Sequence, residues 1–139
     1  MTEEFKQIST TNGFMKHNGG ILFRTISENE YEFKVTINEN HLNAAGITHG
    51  GFIAAFVDAG AGTAAHRVNN GNPCVTISLE LKFISPVQLG QELVGKTKIQ
   101  KKTKSMVFLT CELTASNKIV ATASGVWKIL KLSGASPGS

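Results

Sequence analysis

The hydrophobic pattern of the chain changes from alternation to a helical run and back to alternation. Residues 21–27 are largely apolar, residues 31–37 alternate with Phe33, Val35 and Ile37 on one face, and a turn at Glu28 and Asn29 lies between the two segments. A period of two predicts β-strands, and the short connection predicts a hairpin. Residues 50–68 lack this alternation, are rich in Ala and Gly, and end at the turn sequence NNGNP at 69–73. They form the only long helical candidate.

Alternation returns after the helix and gives the clearest strand of the chain. Its predicted apolar face consists of Val75, Ile77, Leu79, Leu81 and Phe83, opposite Thr76, Ser78, Glu80 and Lys82. Further strands are predicted at 92–101, 105–114 and 119–130, separated by a lysine-rich turn and by a turn at 116–118.

This order of elements predicts an α+β fold in which one helix packs on an antiparallel sheet. Because the helix is rich in Ala and Gly, a curved sheet could wrap closely around it. At 139 residues the chain has the size of one domain, which we place at 1–131. The last segment, LSGASPGS at 132–139, is predicted to be a flexible tail.

Composition narrows the class of protein. Hydrophobic residues make up 41% and charged residues 17% of the chain, which is typical of a folded protein. No basic start followed by an apolar run is present, and no apolar stretch is long enough to span a bilayer, so we expect a cytoplasmic protein that does not enter a membrane. Cys74 and Cys111 lack metal-ligand or redox spacing and are expected to be reduced.

The formal charge of +4 favours anionic partners without choosing among them. Its densest contribution is a lysine cluster without interleaved aromatic residues or a nucleic-acid motif, so nucleic acid is not an expected partner. We interpret the cluster as a solvated strand and its turn. The alternative is that these lysines, together with Arg67, form a rim that contacts the phosphates of a small ligand. Its members are Lys96, Lys98, Lys101, Lys102 and Lys104.

Candidate chemistry is concentrated where the helix begins. If it begins near Gly50, the amides of His49, Gly50 and Gly51 lie at a helix N-terminus, which favours an oxygen acquiring negative charge. Asp58 follows in the apolar helical run, although Asp is a poor interior helix former and an unpaired carboxylate would lose hydration there. An oxyanion site and a carboxylate acting as base or nucleophile are the parts needed for acyl transfer to water.

The two parts cannot serve one carbonyl within a single chain. Asp58 is eight residues after Gly50, which is about 12 Å along a helix and on a different face. If they cooperate, the acid of one subunit faces the helix N-terminus of another across a two-fold interface. The remaining structural alternative is that Asp58 pairs with a buried partner such as His66.

Other motifs are weaker. The sequence GAGTAA at 60–65 matches the loose form of a dinucleotide fingerprint, but the helix after it would be too short for a parallel-sheet crossover. His41, His49 and His66 lack the spacing of a metal-binding helix, so no metal or other cofactor is expected. Only His49 is singled out among them, because it stands at the beginning of the helix.

Taken together, this pattern resembles the hotdog-fold acyl-CoA thioesterases, particularly the phenylacetate-pathway type with Asp as the acid. The residues that carry the resemblance are Asn43, Gly46, His49, Gly50, Gly51 and Asp58. It implies a hotdog fold, with an antiparallel sheet of about six strands around one central helix, and a homodimer with a continuous sheet that often pairs again into a tetramer.

The resemblance also implies roles for individual residues. The thioester carbonyl would lie at the amide of Gly50, and Asp58 would reach in from the neighbouring subunit as base or nucleophile. Asn43 and His49 would orient the carbonyl or water. Thr76 occupies a position where a Ser or Thr assists the acid, although the alternation also makes it an ordinary polar-face strand residue.

The function expected from these residues and this resemblance is hydrolysis of an acyl-CoA thioester to a free acid and CoA. CoA is then part of the substrate, and aromatic, short-chain and medium-chain acyl groups all remain open. The alternative is a non-catalytic hotdog module that binds acyl-CoA. Such a regulator is expected to carry a DNA-binding segment as well, for which 139 residues leave no space, so the enzyme is favoured.

Overall fold

The computed structural model describes residues 2–131, so the tail predicted at 132–139 lies outside the described residues. The strands are β1 (Lys6–Gln7), β2 (Leu22–Ser27), β3 (Glu30–Thr36), β4 (Cys74–Phe83), β5 (Glu92–Lys102), β6 (Met106–Ala115) and β7 (Lys118–Ile129). The α-helices are α1 (Phe14–His17) and α2 (Gly50–Val68), and a 3₁₀-helix covers Glu39–His41.

All strands join one antiparallel sheet in the order β1-β2-β3-β5-β6-β7-β4. The predicted α+β hotdog fold is confirmed, and the two-residue β1 adds a seventh strand to the six expected. Helix α2 lies across one side of this sheet and contacts β3 through β7. It begins at Gly50 and ends at Val68 as predicted, and Asn70 and Gly71 follow with φ of 57° and 78°.

Three residues set how closely the helix approaches the sheet. A Cβ atom on Gly60 of α2 would lie 2.2 Å from the ring of Phe33 on β3, and a Cβ on Gly95 of β5 would lie 2.6 Å from the same ring. Phe33 is fully buried, so it fills the space between two glycines that must lack side chains. The segment at 60–65 that matches the loose dinucleotide fingerprint therefore lies inside α2, where Gly60 provides room for Phe33.

Strand β4 differs from its predicted alternation. Thr76 pairs with Trp127 of β7 and Ser78 pairs with Val126, so Ile77 is an extra residue without a cross-strand partner. Such a bulge reverses the side on which the preceding residues lie. Leu79 and Leu81 keep the predicted inward face and pack against the core, whereas Phe83 at the end of the strand is 57% exposed. Thr76 faces the helix, and Val75 and Ile77 are 47% and 51% exposed.

Strand β4 is an uncovered edge because it stands last in the order of the sheet. Its other side pairs with β7, and no strand of residues 2–131 pairs with its free side. Exposed apolar residues lie along and just beyond it: Val75, Ile77, Phe83 and Ile84. None of the helices in residues 2–131 is long and apolar enough to cross a membrane.

Candidate active site

The loop before α2 is organised by Asn43. Its side-chain Oδ1 accepts hydrogen bonds from the N–H groups of Ala45 at 2.9 Å and Ile47 at 3.3 Å. Its backbone N–H donates to the carbonyl of Ile47 at 2.8 Å, and its carbonyl accepts from Gly46 at 3.0 Å. Gly46 has φ of 79°, a conformation that favours glycine. Asn43 thus shapes the loop that leads to the helix.

The three amides predicted at the helix N-terminus are not equivalent. The N–H of His49 donates to the carbonyl of His41 at 2.7 Å. The N–H of Gly51 donates to Nδ1 of His49, also at 2.7 Å, which makes His49 the N-cap of α2. The N–H of Gly50 has no acceptor within residues 2–131. The predicted three-amide site is therefore reduced to one available donor.

A second histidine holds this arrangement in place. His41 is buried, its Nδ1 accepts the N–H of Asn38 at 3.0 Å, and its Nε2 donates to the carbonyl of Asn18 at 2.6 Å. Its ring stacks on Phe52 with the centroids 3.8 Å apart. His41 is thus structural, and its carbonyl fixes the backbone of His49.

A cleft of 390 Å³ opens beside Gly50. Its walls include Asn43, Ile53, Phe83, Ile84 and Val87. Phe83, which the sequence did not single out, is 57% exposed, and a Cβ on Gly50 would lie 3.5 Å from its ring. The signal that could have found it is the continuation of the apolar run past the strand end to Ile84, since both residues cannot face the core.

Asp58 contacts Thr76. The Thr76 hydroxyl donates to Asp58 Oδ1 at 2.6 Å, and the Ile77 bulge is what turns Thr76 toward the helix. Asp58 forms no ion pair within residues 2–131. We expected an apolar environment for this carboxylate, but it is exposed in the protomer because α2 is open on this side.

His66 does not pair with Asp58. Its Nε2 instead donates to the carbonyl of Gly71, which closes the turn after α2. The alternative prediction that Asp58 pairs with His66 is therefore wrong. Arg67, considered as a phosphate contact, donates to Glu3 Oε1 at 2.7 Å and Thr25 Oγ1 at 3.2 Å.

The structure thus forms two groups rather than one. Asn43, His49 and Gly50 meet at the beginning of α2, whereas Asp58 and Thr76 meet two turns further along. About 12 Å of helix separates them, as the residue spacing predicts. Within residues 2–131 no group of His, Cys, Asp or Glu side chains is arranged to hold a metal ion.

Known proteins are similar to this chain in both sequence and fold. The family model of the thioesterase superfamily matches residues 45–122, which include Gly50, Asp58 and Thr76. Human acyl-coenzyme A thioesterase 13 is 27% identical over 123 residues, covering 87% of this chain and 88% of the human protein.

Two solved structures have the same fold. Zebra fish thioesterase superfamily member 2 superposes with a TM-score of 0.79 at 20% identity, covering 87% of this chain and 89% of that one. A thioesterase protein of Streptococcus pneumoniae, solved with coenzyme A, has a TM-score of 0.73 at 15% identity, covering 79% of this chain and 85% of that one. Because the family model matches more than half of the length of this chain, the chain belongs to the thioesterase superfamily.

Proposed function

We propose that this protein hydrolyses acyl-CoA thioesters to a carboxylic acid and free CoA. Membership of the thioesterase superfamily and the human relative support the reaction. The fold that holds coenzyme A in the Streptococcus pneumoniae protein supports CoA as the thiol part of the substrate.

The observation that carries this proposal is the unused N–H of Gly50. It lies at the N-terminus of a 19-residue helix, where the aligned peptide dipoles favour negative charge. It also borders the largely apolar cleft beside Phe83, in which a hydrogen bond is stronger than in water. A thioester carbonyl placed there would be polarised, and the oxyanion formed on attack would be stabilised.

The acid is Asp58 of the partner subunit. The Thr76 hydroxyl binds Oδ1 of Asp58, which leaves Oδ2 free to act and fixes the orientation of the carboxylate. As general base, Oδ2 takes a proton from water while the water oxygen bonds to the carbonyl carbon. The C–S bond then breaks, and the thiolate receives the proton. As nucleophile, Oδ2 would attack the same carbon and expel the CoA thiolate, which forms an anhydride with the acyl group. Water then opens the anhydride to the free acid and the Asp58 carboxylate, and the proton that water gives up goes to the thiolate.

Strand β4 is the surface that would join the subunits. It is ten residues long, and its exposed edge carries Val75 and Ile77. An uncovered apolar edge of this length is a template for pairing with another strand. Antiparallel pairing of β4 with β4 of the partner subunit would extend the sheet and place two α2 helices side by side, so each Gly50 could approach the other chain's acid.

His49 and Asn43 support the donor. His49 Nδ1 is occupied by the Gly51 N–H, so in the neutral ring the proton is on Nε2, which can donate to the carbonyl or to water. Oδ1 of Asn43 is occupied by the loop, which leaves its amide N–H₂ available to the cleft.

The experiment that tests the proposal is thiol release across a panel of acyl-CoAs, with Asp58→Asn as control. The protein's own thiols should react slowly with the thiol reagent, because burial raises the pKa of Cys111 to about 12 and also raises that of Cys74. Release of CoA that depends on Asp58 supports the enzyme. Acyl-CoA binding without any release would support the non-catalytic module instead.

A further inference from the structure

A short N-terminal segment lies beside the open side of α2. We call residues 8–16 the N-terminal wall. Within and just after it, His17 N–H donates to the carbonyl of Gly13 at 2.9 Å, and Gly20 N–H donates to that of Met15 at 2.7 Å. Ile8 and Met15 pack against the hydrophobic core. The wall is therefore attached to the body of the protein.

Between this wall and α2 lies a cavity of 330 Å³. Its apolar walls are Ile8, Phe14, Met15 and Ile21, and on the α2 side it is bounded by Ala59 and Thr63. Phe14 is 62% exposed, more than any other large apolar side chain in residues 2–131. An aromatic ring so exposed at the edge of a cavity is available to a ligand.

The cavity is connected to Asp58 along the helix surface. Successive helix residues turn by about 100°, so Gly62 and Ala55 lie between the direction of Asp58 and that of Ala59. All three of these small residues are only half-buried. An open strip thus leads from Asp58 past Ala55 to the cavity. Beside Gly62 it is bounded by Trp127, whose Nε1 would lie 3.2 Å from a Cβ on that glycine.

We propose that the cavity and this strip bind the acyl group of the substrate, and that Phe14 is a specificity-determining residue. This inference rests on the proposed acyl-CoA hydrolysis. A thioester attacked by Asp58 has its carbonyl carbon beside that carboxylate, and the open strip gives one of its two arms a path to the cavity. Among the described residues, Lys16 is the only cation that lines the cavity, and its Nζ donates to Asn12 at 3.1 Å. The cavity is therefore a poor site for the phosphates of CoA.

The size of the cavity indicates the class of acyl group. A cavity of about 150 Å³ is enough to bind benzene, and ligand pockets begin at about 300 Å³. The 330 Å³ beside Phe14 therefore suits a phenylacyl group or a medium-length chain. An acetyl group, which has only one methyl beyond its carbonyl, is too small to fill it.

The test compares kcat/KM for acetyl-CoA, octanoyl-CoA and phenylacetyl-CoA between the wild-type protein and Phe14→Ala. We expect a fall of about tenfold for the two larger substrates, mainly through KM, because selectivity from one apolar contact is typically 10- to 200-fold. Acetyl-CoA should change by less than about twofold. Ile119→Ala is the matched control, since Ile119 is also an exposed apolar side chain, at 45%, but lies on β7.

A second variant fills the cavity instead of widening it. Thr63→Leu adds apolar volume at its α2 side and removes only a hydroxyl that donates to the carbonyl of Ala59 at 2.8 Å. It should lower kcat/KM for octanoyl-CoA and phenylacetyl-CoA by about tenfold and spare acetyl-CoA. Circular dichroism of both variants should match the wild type.

Each other outcome overturns the assignment in a distinct way. An equal fall for all three substrates would place the CoA arm, not the acyl group, beside Phe14. Unchanged selectivity in both variants would remove the cavity from the site while the hydrolysis stands. If the wild-type protein releases CoA from none of the substrates, the proposed function itself fails, and the acyl assignment fails with it.

Discussion

The two ends of the proposed site differ in how completely the protomer builds them. At the beginning of α2, the loop satisfies its own polar groups through Asn43, His41 and His49, and leaves one N–H unused. Two turns along, Asp58 is exposed and accepts one side-chain hydrogen bond from within residues 2–131, that of Thr76. It lies near the edge strand β4, whose free side pairs with no strand of the same residues.

This difference shows which part depends on assembly. The proposed oxyanion donor, the Gly50 N–H, is preorganised within one chain, because its neighbours are fixed by local hydrogen bonds. The carboxylate is only oriented, and its desolvation and its carbonyl would have to come from a second chain. Substitutions at either end of the site test this difference.

Replacing the acid should remove activity and leave the fold intact. Asp58→Asn should lower kcat about 100-fold or more, since an essential general base contributes at least that much. The new amide oxygen can still accept from Thr76, and the side chain is exposed, so stability should change little. Steady-state kinetics and a thermal melt measure both effects. A folded variant that keeps more than about a third of the wild-type kcat would falsify the assignment.

Mixed dimers should show that the two ends belong to different chains. Asp58→Asn removes the acid, and Gly50→Pro removes the donor N–H. Proline suits this position because it is the first residue of α2 and His49 before it has an extended backbone with ψ of 131°. A random mixture should recover about a quarter of wild-type activity, since half of the dimers are mixed and each has one intact site.

Gly50→Ala is the matched control for the proline variant. It adds a Cβ at the same place, 3.5 Å from Phe83, but retains the N–H. It should keep most of the activity that Gly50→Pro loses. Subunit exchange must be demonstrated with differently tagged chains. If the mixed dimers form and stay as inactive as their parents, Gly50 and Asp58 do not act on one carbonyl.

Removing the orienting hydroxyl should have an intermediate effect. Thr76→Val keeps the shape but loses the 2.6 Å hydrogen bond to Asp58, and hydrogen bonds to charged groups are worth about 1.5–3 kcal/mol. We expect kcat to fall about tenfold, with KM little changed and with recovery in Thr76→Ser. Ser78→Ala, two residues along the exposed strand, is the control. Equal kcat in the Val and Ser variants would rule out the orienting role.

The smallest effect concerns the helix cap. His49→Ala removes the Nδ1 acceptor of the Gly51 N–H and should lower the free energy of unfolding by about 1 kcal/mol. His49→Asn should retain most of that stability, because Asn is a favoured N-cap. Urea denaturation measures both. Identical unfolding curves for the Ala variant and the wild type would show that the ring does not stabilise the helix.

The helix and most strands could be predicted because their signals are local. Helix α2 lies between the glycine-rich sequence at 49–51 and the turn sequence NNGNP at 69–73. An apolar stretch marks β2, and alternation marks β3 and the strands after the helix. The separation of Gly50 and Asp58 along α2 also follows from helix geometry alone. The two-residue β1 and the four-residue α1 were missed, because elements so short have no detectable period.

The details of the site were harder to predict because they depend on tertiary pairing. Alternation continues through Ile77 without interruption, so nothing local marks the bulge that turns Thr76 toward Asp58. The sequence also cannot show which of the three backbone N–H groups at the N-terminus of α2 lacks an acceptor, since that depends on the carbonyl of His41 and the ring of His49.

The packing of Phe33 between Gly60 and Gly95 also constrains how this sequence can change over time. An alanine at either glycine would place a Cβ within 2.6 Å of the ring, so it is excluded while the ring remains. If a smaller residue replaced Phe33, a cavity would form that an alanine at 60 or 95 could partly fill. Substitutions at the three positions are therefore not additive. A lineage that exchanges these residues must change Phe33 first, which makes the order of mutation, and not only its outcome, a property of the fold.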